Sequence, residues 1–133
     1  MAEVGRLLVV DDTPYVREIL HEYFTDIGYR VDTVEDGEQA FETLGRERPD
    51  VVLLDLMMPR IDGIDVLTGI LLMDPALPVV VLTASTDELL ARHLIAHGAF
   101  DFVPKPFDFD ALERVVTAAV ARRDETPGKS RSA

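Results

Sequence analysis

Leu7-Leu8-Val9-Val10-Asp11-Asp12-Thr13-Pro14 decides how this chain folds. Four apolar residues in a row, stopped by two carboxylates, predict a short strand buried on both faces. Thr13-Pro14 predicts a helix start, with threonine at the N-cap and proline at the first helical position, where no backbone N–H is needed. Val16, Ile19, Leu20, Tyr23, Phe24 and Ile27 then recur at helical spacing, and Gly28 suits the position just past the helix end. A buried strand that ends in carboxylates and turns directly into an amphipathic helix is one β–α unit.

The same order repeats along the chain. Residues Arg30 to Val34 predict a second strand, and Asp36-Gly37 opens a helix carrying Ala40, Phe41 and Leu44 that Pro49-Asp50 breaks. Val51-Val52-Leu53-Leu54 is a third apolar run, and it too ends in a carboxylate, Asp55. Met57-Met58-Pro59-Arg60-Ile61-Asp62-Gly63 reads as a loop by its proline and glycine, before a helix marked by Val66, Leu67, Ile70 and Leu71. Pro78 opens a fourth strand, Val79-Val80-Val81-Leu82, which ends in Thr83. Ser85-Thr86-Asp87-Glu88 fits a capping box for a fourth helix, closed by Gly98. Phe100 to Val103 predicts the fifth strand, followed by Pro104-Lys105-Pro106. Asp108 is placed to cap the last helix, with Phe107 and Leu112 as a hydrophobic staple. Strict alternation of five strands and five helices predicts a parallel sheet with helices on both faces, joined by right-handed crossovers. Residues 1–123 are expected to form one domain, and the polar residues 124–133 a flexible tail or linker.

Composition narrows the function. The 133 residues suit a single domain, and the 47% hydrophobic content fills its core. The absence of cysteine excludes disulfides and thiolate metal sites. The first residues lack a basic segment followed by a long apolar stretch, and the apolar runs are strand-length, so neither a signal peptide nor a membrane span is expected. A cytoplasmic protein is the expectation. A formal net charge of −12 repels nucleic acid phosphates, so direct nucleic acid binding is not expected.

The polar residues fall in a pattern of their own. Ligands of open α/β sheets bind beyond the carboxyl ends of the strands, where strand order reverses. The first strand ends in Asp11 and Asp12, the third in Asp55, the fourth in Thr83, and the fifth leads to Lys105. With the first strand placed centrally, these groups converge on one pocket. Three short carboxylates held together either raise one another's pKa or bind a cation, and an all-oxygen set of this kind suits Mg²⁺. A carboxylate can also accept a phosphoryl group. Asp55, alone at its strand end, is the expected acceptor, with Lys105 as a cationic partner and Thr83 as a hydroxyl donor to a phosphoryl oxygen.

Val10-Asp11-Asp12, Leu54-Asp55-Leu56-Met57-Met58-Pro59 with Asp62-Gly63, Leu82-Thr83-Ala84, and Gly98 through Phe107 together resemble the receiver domain of two-component response regulators. The resemblance runs from residue 6 to about 122. It implies a flavodoxin-like (βα)5 three-layer sandwich with strand order 2-1-3-4-5. It implies that Asp55 is the phosphoacceptor, and that Asp11, Asp12, Asp55 and the backbone carbonyl of Met57 hold Mg²⁺. Thr83 and Lys105 match the switch hydroxyl and the phosphate-pairing lysine, Phe102 matches the aromatic switch position, and the Lys105-Pro106 bond is expected to be cis. The implied partners are a sensor histidine kinase or phosphotransfer protein, and a downstream target or attached output domain. The face of the fourth helix, fifth strand and fifth helix, with Arg92, Asp101, Arg114 and Arg122, is the implied switching and homodimer surface. The domain is then a signalling module rather than a turnover enzyme.

Other readings are weaker on the residues themselves. A Mg²⁺-dependent phosphatase of the haloacid-dehalogenase-like type puts its two aspartates two positions apart, whereas Asp11 and Asp12 are adjacent. A flavin carrier of similar fold wants phosphate donors after the first strand, where two carboxylates stand instead. His93 and His97 share i,i+4 spacing but lack the further ligand of a zinc motif.

Overall fold

The computed structural model describes residues 4–58, 61–84 and 88–124. β1 (Gly5–Val10), β2 (Tyr29–Val34), β3 (Val51–Asp55), β4 (Val79–Thr83) and β5 (Asp101–Pro104) alternate with α1 (Pro14–Asp26), α2 (Gly37–Arg46), α3 (Gly63–Met73), α4 (Glu88–Ala96) and α5 (Phe109–Asp124). The strands form one parallel sheet in the order β2-β1-β3-β4-β5. The expected topology is therefore the observed one.

The apolar runs work as strands buried on both faces because their side chains alternate. Leu7, Val9, Val51, Leu53, Val80 and Leu82 pack with Leu20 and Phe24 of α1 and Leu112 and Val116 of α5. Leu8, Val10, Val52, Leu54, Val79 and Val81 pack on the other side with Ala40 of α2, Val66, Leu67 and Ile70 of α3, and Leu94 of α4. Each strand run thus supplies two cores, and the three layers follow from five short segments of sequence.

Most predicted boundaries hold to within a residue or two. Gly28 and Gly98 adopt φ of 106° and 102°, the left-handed geometry that ends α1 and α4. Asp36 caps α2 by accepting from Gln39 N, and Asp108 accepts from the N–H groups of Asp110 and Ala111 at α5. Thr13 occupies the N-cap of α1, but its side chain makes no cap bond. Its N–H instead donates to Asp11 Oδ1 at 2.9 Å, so the local turn is made by the aspartate. Between β3 and α3, Met57–Met58 pairs antiparallel with Ile61–Asp62, a ladder the loop reading missed. The capping box at Ser85-Thr86-Asp87 and the tail beyond Asp124 lie outside the described residues. Among the described residues, no helix is long and apolar enough to cross a membrane.

At the end of the sheet opposite the carboxylates, Arg48 Nε is hydrogen-bonded to Asp74 Oδ2 and ties the α2–β3 connection to the end of α3. The Arg48 hydrogen bond holds the Asp74 carboxyl below its ordinary range. A depressed folded-state pKa adds stability above the unfolded value of 3.8, which is lost as pH falls through the folded value. Both side chains are partly exposed, so Asp74→Asn is expected to cost about 0.5–1 kcal/mol at pH 7. Denaturant titrations of parent and variant should diverge at pH 7 and converge as pH falls below the depressed folded-state value.

Candidate functional site

The crevice lies where strand order reverses, between β1 and β3. β1 ends at Val10 and hands Asp11 and Asp12 to the loop before α1. β3 carries Asp55 as its own last residue, one further than the apolar run predicts. Carboxylate oxygens of Asp11, Asp12 and Asp55 all lie within 4.8 Å of one another. Among the described residues, this is the cluster of three or more side chains able to hold a metal ion. His93 and His97, with ring centroids 4.2 Å apart, acquire no third ligand there.

Lys105 enters the crevice from the loop after β5, next to the cis Lys105-Pro106 bond. Its Nζ stands 3.1 Å from Asp11 Oδ2 and 3.4 Å from Asp55 Oδ1. The sequence pointed this lysine at Asp55; the structure has it bridge both carboxylates and sit slightly nearer Asp11. Thr83 ends β4 and is buried, and its carbonyl accepts from Lys105 N at 2.8 Å. That bond couples the backbones that carry the hydroxyl and the ammonium. Phe102, half-buried on β5, packs against the core cluster shared with α3 and α4.

The Asp55 side chain is tightly set. Asp55 is 3% exposed. Its Oδ1 accepts from Met57 N at 3.1 Å, and the next residue, Leu56, donates its N–H to Leu82 O at 3.0 Å. Burial pushes the Asp55 carboxyl above its ordinary range; the Met57 N–H opposes this, Asp11 adds to it, and Lys105 opposes it. The balance is a carboxylate short of positive charge. Three carboxylates face one ammonium here, which leaves an excess of two negative charges, the charge of one divalent cation. The donors are all oxygen, and Mg²⁺ prefers such a set.

The structure thus brings together Asp11, Asp12, Asp55 and Lys105, with Thr83 one backbone hydrogen bond away. Met57 is 67% exposed, and its N–H donates to Asp55 Oδ1. Arg17 escaped the sequence reading. Its Nη1 donates to Asp11 O at 2.8 Å, and only its place one turn into the helix after the carboxylates hinted at this.

Residues 7–117 match the response regulator receiver domain family. Over 130 residues the chain is 39% identical to the response regulator MprA of Mycolicibacterium vanbaalenii, covering 96% of this chain and 55% of that protein. Over 121 residues it is 37% identical to the DNA-binding transcriptional regulator NtrC of Escherichia coli, covering 91% of this chain and 26% of that protein. The chain therefore spans about half the length of one relative and about a quarter of the other. Among solved structures, the receiver domain of the Francisella response regulator 1452 superposes with a TM-score of 0.83 at 27% identity, covering 89% of this chain and 98% of that one. The phosphatase reading finds no support in these matches.

Proposed function

The chain belongs to the response regulator receiver domain family, and from that premise we propose that Asp55 is its phosphoryl acceptor and that Asp11, Asp12, Asp55 and the Met57 carbonyl hold Mg²⁺. The observation that carries this reading is the charge balance of the crevice: a buried Asp55 beside Asp11 and Asp12, with one ammonium between them. A bound Mg²⁺ supplies the missing positive charge to the carboxylates and to phosphoryl oxygens.

The phosphodonor is a phosphohistidine of a sensor kinase or phosphotransfer protein. An Asp55 carboxylate oxygen attacks phosphorus in line. The P–O bond forms as the P–N bond breaks, and the imidazole leaves with the electron pair and takes a proton from solvent. Lys105 Nζ, already 3.4 Å from Asp55, neutralises charge on the incoming phosphoryl oxygens. The Thr83 hydroxyl donates to another of those oxygens. Its inward movement gives Phe102 space to fill, and the surface of α4, β5 and α5 changes with it. Arg92 and Arg114 are exposed there, and Arg122 lies over the Phe100 ring at 5.2 Å. A downstream protein, an attached output domain or a second copy of the chain reads that surface. The signal leaves through protein contacts, with no direct nucleic acid binding by this domain.

The test is to incubate the protein with a small phosphodonor and Mg²⁺ and weigh it. Addition of one phosphoryl group, prevented when a chelator is present from the start, is the expected result; sustained turnover of a phosphate ester would point to a hydrolase instead. A companion measurement reads the metal alone. Mg²⁺ at tens of times its dissociation constant should raise stability by about 2 kcal/mol. Asp12→Asn should abolish most of that gain, measured as the shift in unfolding midpoint between chelator and Mg²⁺.

A further inference from the structure

Arg17 takes no part in the phosphoryl chemistry, yet it is bonded into the same loop. Its Nη1 donates to the backbone carbonyl of Asp11 at 2.8 Å. The side chain is 19% exposed, and Nη2 stands 3.9 Å from Glu35 Oε2. Arg17 N closes a helical hydrogen bond to Thr13 O at 3.1 Å, so the guanidinium reaches back from the first turn of α1 over the loop that carries the carboxylates.

The carbonyl it takes belongs to the peptide joining Asp11 to Asp12. Asp11 is held on every other side as well: its N–H bonds to Val34 O, its Oδ1 accepts from Thr13 N, and its Oδ2 faces Lys105. The direction of Asp12 follows from the plane of that same peptide. A planar, permanently charged guanidinium can hold the carbonyl and face Glu35 together, which an ammonium does less well. Groups that orient metal ligands from behind tune metal affinity, and losing one typically weakens binding by about 10- to 100-fold.

We infer that Arg17 is a positioning residue: by fixing the Asp11–Asp12 peptide it aims both carboxylates at Asp55 and sets the affinity for the divalent cation. The inference rests on the Mg²⁺ reading above. Arg17→Ala should weaken Mg²⁺ binding by about 10-fold or more, with partial recovery in Arg17→Lys. Glu35→Gln should stay within about twofold of the parent, because its half-exposed pair at 3.9 Å holds little energy. The probe is Mg²⁺ alone, titrated by calorimetry, with unfolding in chelator measured beside it. A merely structural arginine would lower metal-free stability and leave the dissociation constant unchanged, and that outcome overturns the inference. Where Arg17→Ala fails to fold, Arg17→Lys and Arg17→Gln carry the same comparison. A parent protein that takes up no Mg²⁺ defeats the metal reading itself, whereas normal binding in the parent and in every Arg17 variant defeats this inference alone.

Discussion

Asp55→Asn should lower phosphoryl incorporation from a small donor by about 100-fold or more, because an amide oxygen is no substitute for the attacking carboxylate. The same substitution should make the metal-free protein more stable at neutral pH. Burial and Asp11 hold the Asp55 pKa above 3.8, so its ionised form is less welcome in the folded state than in the unfolded one. For a carboxylate with a raised folded pKa, the loss of stability develops as pH rises through the unfolded value and is complete above the folded value. Asparagine keeps an oxygen for the Met57 N–H and removes the charge. The advantage of the variant should therefore be present at pH 7, shrink below pH 4, and narrow again when Mg²⁺ is added to the parent. Mass spectrometry reads the first effect and denaturant titration at several pH values reads the second. A parent more stable than Asp55→Asn in chelator at pH 7 would show that Lys105 outweighs the burial cost and would overturn this expectation.

These effects coincide at one residue because the sequence places the chemistry where the apolar runs stop. The runs need no tertiary information: Leu7–Val10, Val51–Leu54 and Val79–Leu82 each read as a buried strand, and each is followed by a polar residue at the same edge of the sheet. Strand ends are local facts, so Asp11, Asp12, Asp55 and Thr83 were legible. Lys105 was legible as a group between two prolines after the last strand, but its bridge to Asp11 was not, since the distance depends on how β5 docks beside β4. Arg17 was hidden for a related reason. Helical spacing says which face of α1 it shares, and nothing in the spacing says that its guanidinium turns back to a carbonyl. Thr13 stands at the N-cap with Pro14 opening the helix, as the sequence predicts, but its side chain makes no capping bond; the Thr13 N–H bonds Asp11 Oδ1, so the aspartate shapes the turn. Side-chain bonds within loops are the part of this molecule that periodicity cannot reach.

Gly63→Ala is the substitution expected to damage the fold and the site together. A Cβ at Gly63 would collide with the carbonyl oxygen of Leu56 and lie 2.8 Å from both Leu56 Cα and Cδ1. Two of those three atoms are backbone and cannot rotate aside. Relief must come either from moving the start of α3 outward or from moving Leu56. The first strains the Asp62 cap, whose Oδ1 accepts from Ile64 N at 2.9 Å. The second strains the Leu56 N–H bond to Leu82 O that ties β3 to β4, and it drags the adjacent Asp55 with it. Overpacking against backbone in this way should cost about 3 kcal/mol. Phosphoryl uptake should also fall by about 10-fold, because small misplacements of a reacting group are expensive. Gly45→Ala supplies the contrast. Nothing lies within 4 Å of its added Cβ, and it sits inside α2, so alanine should stabilise the protein by about 0.5–1 kcal/mol through helix propensity and leave phosphoryl uptake alone. Chemical denaturation and intact mass, measured on both variants, separate crowding at Leu56 from a general intolerance of alanine; equal behaviour of the two would remove Leu56 as the cause.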